Sequence, residues 1–300
     1  MIRVIPFVLA LAWGLNWPAV KISLSAFPPF SLRMIGLGSG GVLLLLFALA
    51  RGKRLMPERG AWHGVIAGGL LTVAVFNLST AIAQLNTTTS RAAVLTFTMP
   101  MMSAVLSWLV VGERLDRRKI AALLSGLAGI AVLALPVLES ALAAHDASAY
   151  KGLAFPLVAA FGWSAGTVYL KRWPVAGDRI AMTAWQLLIG AGCGAIGAFL
   201  AGESLPSWPL PGRVVAALTM HIVLGTAIAY WLWFVLVERV SATVASLTTL
   251  MVPVVGVLSA MLLVGDRPSM TDWIGFALVL GGAGLIVVGP LATGSASRRR

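Results

Sequence analysis

The chain has 300 residues, of which 59% are hydrophobic and only 11% are charged. Because an ordinary soluble domain carries roughly 25% charged residues, this composition excludes that class and indicates a protein whose apolar surface faces a bilayer. A single cysteine, Cys193, excludes an internal disulfide, and no Cys/His cluster has metal-ligand spacing. The net charge of +12 comes from basic residues in short loops, so membrane topology explains it better than nucleic-acid binding does.

Ten apolar runs are long enough to cross a bilayer, which takes about 20 residues. The predicted spans lie near residues 4–22, 30–50, 62–84, 89–111, 119–137, 152–170, 180–201, 213–236, 242–264 and 272–290. Their connections are too short to fold as a catalytic or nucleotide-binding domain, and the phosphate-loop pattern is absent. We therefore predict an all-α integral membrane protein that is not an enzyme and uses no metal or other cofactor.

Lysine and arginine are distributed unevenly between alternate loops. With the N-terminus in the cytoplasm, 16 of the 22 basic residues fall on the inner side. The other six, on the outer side, are Lys21, Arg33, Arg91, Lys151, Arg213 and Arg267. Since cytoplasmic loops of membrane proteins are enriched in positive charge, both termini are predicted to be cytoplasmic.

An internal repeat covers nearly the whole chain. Shifted by 153 residues, "VGER" at 111–114 aligns with "VGDR" at 264–267. Single residues that match at this shift are Gly41 with Gly194, Thr96 with Thr249, Pro100 with Pro253 and Gly129 with Gly282. A shift of 150 matches Pro6 with Pro156, Trp13 with Trp163 and Lys21 with Lys171. Convergent apolar composition, the alternative explanation, does not predict such matches.

The repeat divides the chain into residues 1–144, with spans 1–5, and residues 145–300, with spans 6–10 and a short basic tail. Because five is an odd number, the second half is expected to lie inverted relative to the first. Inverted repeats are a recurring plan of secondary transporters, whose substrate sites lie near the midplane between the halves. Spans 5 and 10 are almost free of polar groups, which suits packing or the contacts of a homodimer.

Three segments carry a resemblance to a known family: "LAWGLNWPAVK" at 11–21, "RAAVLTFTMPMMSAVLSWLVVGERL" at 91–115 and "ATVASLTTLMVPVVGVLSAMLLVGDRP" at 242–268. Over residues 5–290 the chain resembles the EamA-type branch of the drug/metabolite transporter superfamily, which includes the bacterial aromatic amino-acid exporter group. The resemblance implies a multi-pass protein of the bacterial inner membrane that exports amino acids or similar small metabolites without ATP hydrolysis.

Polar and aromatic side chains near mid-membrane are the candidate lining of a substrate cavity. They are Asn16, Trp17, Asn77, Thr80, Thr96, Met99, Trp163, Thr167, Tyr230, Thr248 and Thr249. Amides and hydroxyls can meet a carboxylate or an ammonium, and Trp and Tyr combine a flat apolar face with a polar tip. Contacts between helices are the alternative role for each of these residues. The cavity is predicted between spans 1, 3 and 4 and spans 6, 8 and 9.

His221 is interpreted as the one ionisable group well inside a span, which makes it either a proton-sensitive site or a neutral histidine bonded to a neighbouring helix. Pro18, Pro100 and Pro253 each free a backbone carbonyl and are candidate hinges or static kinks. No acidic residue lies near the centre of a span, which argues against obligate proton coupling.

Three other functions remain open. The substrate could be a drug-like or lipid-linked amphiphile rather than an amino acid. For either substrate, membrane lipid is expected to surround the protein. A multispan enzyme would need a convergent catalytic set, which His63, His145 and His221 do not supply. A non-transporting membrane scaffold would not need a duplicated set of polar residues at mid-membrane.

Overall fold

The computed structural model describes residues 5–144, 147–232 and 242–294, and within these ranges the chain is helical and contains no strand. In chain order the helices are α1 (Ile5–Ser23), α2 (Pro29–Ala50), α3 (Arg59–Asn86), α4 (Thr89–Val111), α5 (Arg117–Ala144), α6 (Ala147–Arg172), α7 (Arg179–Leu200), α8 (Gly212–Leu232), α9 (Ala242–Leu263) and α10 (Met270–Gly294). The basic residues Arg3 and Arg239 and the tail Arg298–Arg300 lie outside the described residues.

Helices α2 to α8 each contain a stretch that is long and apolar enough to cross a membrane. Three shorter apolar stretches, Phe7–Ser23, Leu250–Leu263 and Met270–Ile286, belong to α1, α9 and α10. The chain is therefore a multi-pass membrane protein, and the figure of ten crossings stays a prediction.

Glycine ends both helices that carry the repeated Gly-acid-Arg motif. Gly112 follows α4 with φ of 77°, and Gly265 follows α9 with φ of 76°. Only glycine adopts this left-handed conformation without steric cost, so it stops the helix and turns the chain at that point. The turn places Glu113 and Asp266 immediately beyond the ends of the two helices.

Two helices widen locally to π-helical turns. The segments are Gly68–Val75 in α3 and His221–Ile228 in α8, and they are separated by the same 153 residues as the sequence repeat. Such turns are rare and occur frequently at functional sites, because they change which face of the helix the following side chains occupy. In addition, α4 is interrupted at Phe97 and Thr98, just before Pro100.

Helices at matching positions of the sequence repeat pack against each other, α2 on α7 and α5 on α10. Glycine allows α5 and α10 to approach each other closely. A Cβ atom on Gly129 would lie 3.0 Å from the carbonyl oxygen of Gly275, and a Cβ atom on Gly282 would lie 2.7 Å from the carbonyl oxygen of Ala122. The two contacts are reciprocal, because each residue of one pair lies 153 positions from its counterpart in the other. The packing of spans 5 and 10 expected from their composition thus occurs within the chain.

Candidate functional site: a central cavity

A cavity of about 220 Å³ lies at the centre of the helix bundle. Helices from both ends of the sequence contribute to its wall, namely α1, α2, α3 and α4 together with α6, α8 and α9. The lining consists of Trp13, Asn16, Trp17, Val20, Arg33, Leu37, Phe76, Asn77, Thr80, Gln84, Phe97, Met99, Pro100, Ser103, Trp163, Thr167, His221, Gly225, Thr226, Tyr230 and Val252.

The structure brings most of the sequence-predicted residues together at this cavity. Those in its wall are Asn16, Trp17, Asn77, Thr80, Met99, Pro100, Trp163, Thr167, His221 and Tyr230. The six helices predicted to form the cavity all contribute to it, and α2 is an addition that the sequence did not indicate. Whether these residues bind a substrate stays a prediction.

Thr96 lies away from the cavity wall. Its side chain is fully buried, and its Oγ1 donates a hydrogen bond of 2.7 Å to the carbonyl oxygen of Ala92 in the preceding turn. This local bond explains the position, because a threonine hydroxyl inside a helix readily donates to the carbonyl four residues earlier. The side chains of Thr248 and Thr249 lie outside the described part of the chain, although both residues belong to α9.

The three prolines differ in their effect on the helices. Pro100 lies in the cavity wall directly after the interruption of α4, and the Met99 carbonyl accepts a hydrogen bond of 2.8 Å from Ser164 of α6. Pro18 and Pro253 lie inside helices α1 and α9, neither of which is interrupted at the proline, and neither residue is in the wall. The repeat partners Pro100 and Pro253 therefore do not produce the same break.

His221 is held by a side chain of α1 rather than by a backbone group. Its Nδ1 lies 2.8 Å from Oδ1 of Asn16, and the imidazole is 1% exposed. The opposite ring nitrogen, Nε2, has no hydrogen-bond partner and packs on Gly36, where a Cβ atom would lie only 2.4 Å from it. Gly225 is similarly close to Asn16. Absent side chains at both glycines thus allow α1, α2 and α8 to meet beside the cavity.

Arg33 is the functional candidate that the sequence analysis missed. It was counted as a residue of the outer side, but its side chain is 2% exposed and lies in the cavity wall. Its Nη2 donates a hydrogen bond of 3.0 Å to Oγ1 of Thr80, whose hydroxyl donates in turn to the carbonyl of Asn77. The signal was available, since an arginine one turn into an apolar run must either reach the membrane surface or face the protein interior.

Aromatic rings form two contacts at the wall. Trp13 and Tyr230 meet edge to face with their ring centroids 6.0 Å apart, and Phe76 and Trp163 lie 5.1 Å apart at an angle of 57°. Trp13 therefore takes part in the wall itself, in addition to packing against another helix. The rings offer broad apolar faces beside the amides and hydroxyls.

The acidic residues of the two Gly-acid-Arg motifs contact other helices. Glu113 pairs with Lys171 and Lys119, and Asp266 accepts hydrogen bonds of 2.7 and 2.8 Å from the backbone and side chain of Ser90. The hydrogen bond from Lys171 is the main cause that holds the pKa of the Glu113 carboxyl below its ordinary value. These contacts join the ends of different helices because glycine turns each acidic residue out of its own helix.

Among the described residues no group of three or more His, Cys, Asp or Glu side chains could hold a metal ion. In the described part of the wall, the charged or titratable groups are Arg33, His221 and Tyr230. The arrangement offers hydrogen bonds, one positive charge and aromatic surface to a ligand, and it presents no nucleophile paired with a base.

The chain belongs to the EamA-like transporter family, which matches it twice, over residues 4–135 and 150–288. It is 27% identical over 273 residues to the uncharacterized transporter YvbV of Bacillus subtilis (strain 168), covering 91% of this chain and 87% of that one. It is 26% identical over 284 residues to the uncharacterized inner membrane transporter YedA of Escherichia coli (strain K12), covering 94% and 89%. A crystal structure with 26% identity superimposes with a TM-score of 0.62 and covers 99% of this chain and 98% of the other.

The family and these relatives make this chain a membrane transporter. The names of the relatives agree with the expectation that it is not an enzyme.

Proposed function

We propose that the chain is a secondary transporter of the inner membrane that exports amino acids or similar small metabolites through the central cavity by alternating access. The observation that carries the proposal is the wall of that cavity, where amides, hydroxyls and aromatic rings from both halves of the sequence surround a space of about 220 Å³. Such a lining suits a small ligand that combines polar ends with an apolar body.

Two inverted halves, residues 1–144 and 145–300, are part of the proposal. It is supported by the double match to the family, by the π-helical turns at equivalent positions and by the reciprocal contacts between α5 and α10. Two similar halves of opposite orientation can form equivalent closures toward either side of the membrane, which is the mechanical requirement of alternating access.

The helix ends contain a candidate gate contact. Glu113 and Lys171 join the ends of α4 and α6. Their repeat partners, Asp266 and Lys21, form no salt bridge in the described part of the chain, although Asp266 is close enough to Lys21 to act on it electrostatically. Lys21 donates to the carbonyl of Gln84, and Asp266 accepts from Ser90. We interpret the Glu113–Lys171 pair as a contact that holds one side of the cavity closed, and transport would require it to open.

Both termini are placed in the cytoplasm by the proposal, which rests on the distribution of basic residues between loops. Reporter fusions at Arg59, Ala144 and Arg300 should read inside, outside and inside. A periplasmic signal from the fusion at Arg300 would contradict the ten-span arrangement.

The purified protein, reconstituted alone in liposomes, tests the function directly. We expect counterflow of labelled neutral amino acids without ATP, above the flux of empty liposomes. Efflux of cationic dyes in place of amino acids would assign the protein to amphiphile transport instead. Background flux for every compound would favour a scaffold without transport activity.

A further inference from the structure

Arg33 brings a positive charge into the cavity and has no acidic partner among the described residues. Only Nη2 of its guanidinium has a hydrogen-bond partner, Thr80, whereas Nε and Nη1 have none. No aspartate or glutamate occurs among the cavity-lining residues of the described chain. A guanidinium stays charged at any physiological pH, and a buried charge is costly unless a group of opposite charge meets it. The described part of the wall therefore supplies no opposite charge to Arg33.

We infer that Arg33 binds a carboxylate of the transported molecule, so that the cavity accepts small organic acids and zwitterions such as amino acids, and rejects cations. The inference rests on the proposed transport function and adds the chemical class of the substrate. Each free nitrogen of the guanidinium can donate a charge-assisted hydrogen bond to a carboxylate oxygen, and such a bond is stronger than one between neutral groups.

A carboxylate fits the site better than a phosphate does. A phosphate ester carries close to two negative charges at neutral pH, whereas Arg33 supplies one positive charge. The other titratable nitrogen group in the wall, His221, is engaged by Asn16 through Nδ1 and packs on Gly36 with its other nitrogen. The single charge of Arg33 thus matches the single charge of a carboxylate, and the aromatic rings beyond it face the rest of the ligand.

A purely structural role for Arg33, as a tie between α2 and α3, makes a different prediction. In that case Arg33→Gln would lower the melting temperature without ligand but would leave the difference between an acid and its carboxamide unchanged. If Arg33 binds a carboxylate, Arg33→Gln removes that difference.

The test measures ligand binding rather than flux. Detergent-solubilised protein is heated with L-leucine, L-phenylalanine, L-glutamate, their carboxamides or inorganic phosphate, and the shift of the melting temperature is recorded against concentration. We expect at least one of the acids to stabilise the wild type and its carboxamide not to. Arg33→Gln should weaken this effect roughly tenfold or more, because a charge-assisted pair is lost. Arg33→Lys should retain part of it, and Arg51→Gln, at the exposed end of α2, should retain all of it.

Three results would overturn the inference: equal stabilisation by an acid and its carboxamide, stabilisation by phosphate alone, or no stabilisation of the wild type by any acid. An unchanged acid preference in a folded Arg33→Gln variant would overturn it as well. If Arg33→Gln does not fold, Arg33→Lys and the comparison of acid with carboxamide on the wild type decide the question. Arg33-dependent acid binding without flux in liposomes would refute the proposed transport and leave this inference standing.

Discussion

The close contact between Gly36 and His221 gives a sharp test of the cavity's architecture. A methyl group at Gly36 would place its carbon 2.4 Å from Nε2 and 2.8 Å from Cδ2 of the imidazole. Two residues further along the same helix, a methyl group at Gly38 would meet Ala191 at 3.5 Å, which is an ordinary contact. Gly38→Ala is therefore a matched control for Gly36→Ala.

The magnitude follows from the surroundings of His221. The imidazole is buried and held by Asn16, so it cannot swing away without breaking that hydrogen bond or moving a helix. Overpacking of this kind costs about 1–3 kcal/mol, whereas both alanine variants gain up to about 1 kcal/mol of helix propensity. Since the gain is common to both, Gly36→Ala should be less stable than Gly38→Ala by about 1–3 kcal/mol.

Thermal unfolding of the purified variants in detergent, followed by tryptophan fluorescence at one scan rate, measures the difference. At about 2–4 °C per kcal/mol, Gly36→Ala should melt roughly 2–12 °C below Gly38→Ala. In a His221→Ala background the imidazole is absent and the methyl group at Gly36 no longer clashes with it. The difference in melting temperature between the two alanine variants should therefore vanish. Equal melting temperatures of Gly36→Ala and Gly38→Ala in the wild-type background would refute the reasoning.

Four further predictions concern transport. Trp163→Ala should weaken substrate binding roughly 2- to 12-fold through loss of its contact with Phe76 and the ligand, as measured by half-saturation of counterflow. Trp173→Ala, just beyond the end of the same helix and away from the cavity wall, should have little effect, and equal values for the two variants would place the site elsewhere. Glu113→Gln should change the melting temperature little, because an exposed ion pair contributes at most about 1 kcal/mol to stability. If the pair closes a gate, the same variant should alter the transport rate. Glu58→Gln is the control. Lys171 lowers the pKa of Glu113, so the effect of the pair on the transport rate should be complete above the ordinary pKa of the carboxyl. It should disappear as the pH falls through the lowered pKa. A rate difference between wild type and Glu113→Gln that persists at acidic pH would contradict this. Transport should continue when a protonophore collapses the pH gradient, since the described cavity wall has no carboxylate; loss of concentrative uptake would instead implicate a proton carrier, and His221→Ala would test the histidine.

The sequence by itself was sufficient to predict a helical membrane protein and the helices around the cavity. Apolar runs of about 20 residues have few alternatives to membrane helices, because unpaired backbone groups are not tolerated in hydrocarbon. Polar side chains on such helices face the protein interior rather than the lipid. For this reason Asn16, Asn77, Trp163 and Tyr230 could be selected before the packing was known. The repeated Gly-acid-Arg motif likewise indicated where two helices end.

Only the tertiary structure decided how individual side chains are used. Thr96 looks like a lining residue in the sequence, but a bond to its own helix removes it from the wall. Arg33 is counted in the sequence among the basic residues of the outer side, but the path of α2 turns its guanidinium inward to Thr80. The partners of Glu113 and His221 lie 58 and 205 residues away along the chain, at Lys171 and Asn16. Hydropathy determines how deep a residue lies in the membrane, whereas the rotation of each helix and its neighbours, which are set by packing, determine what that residue faces.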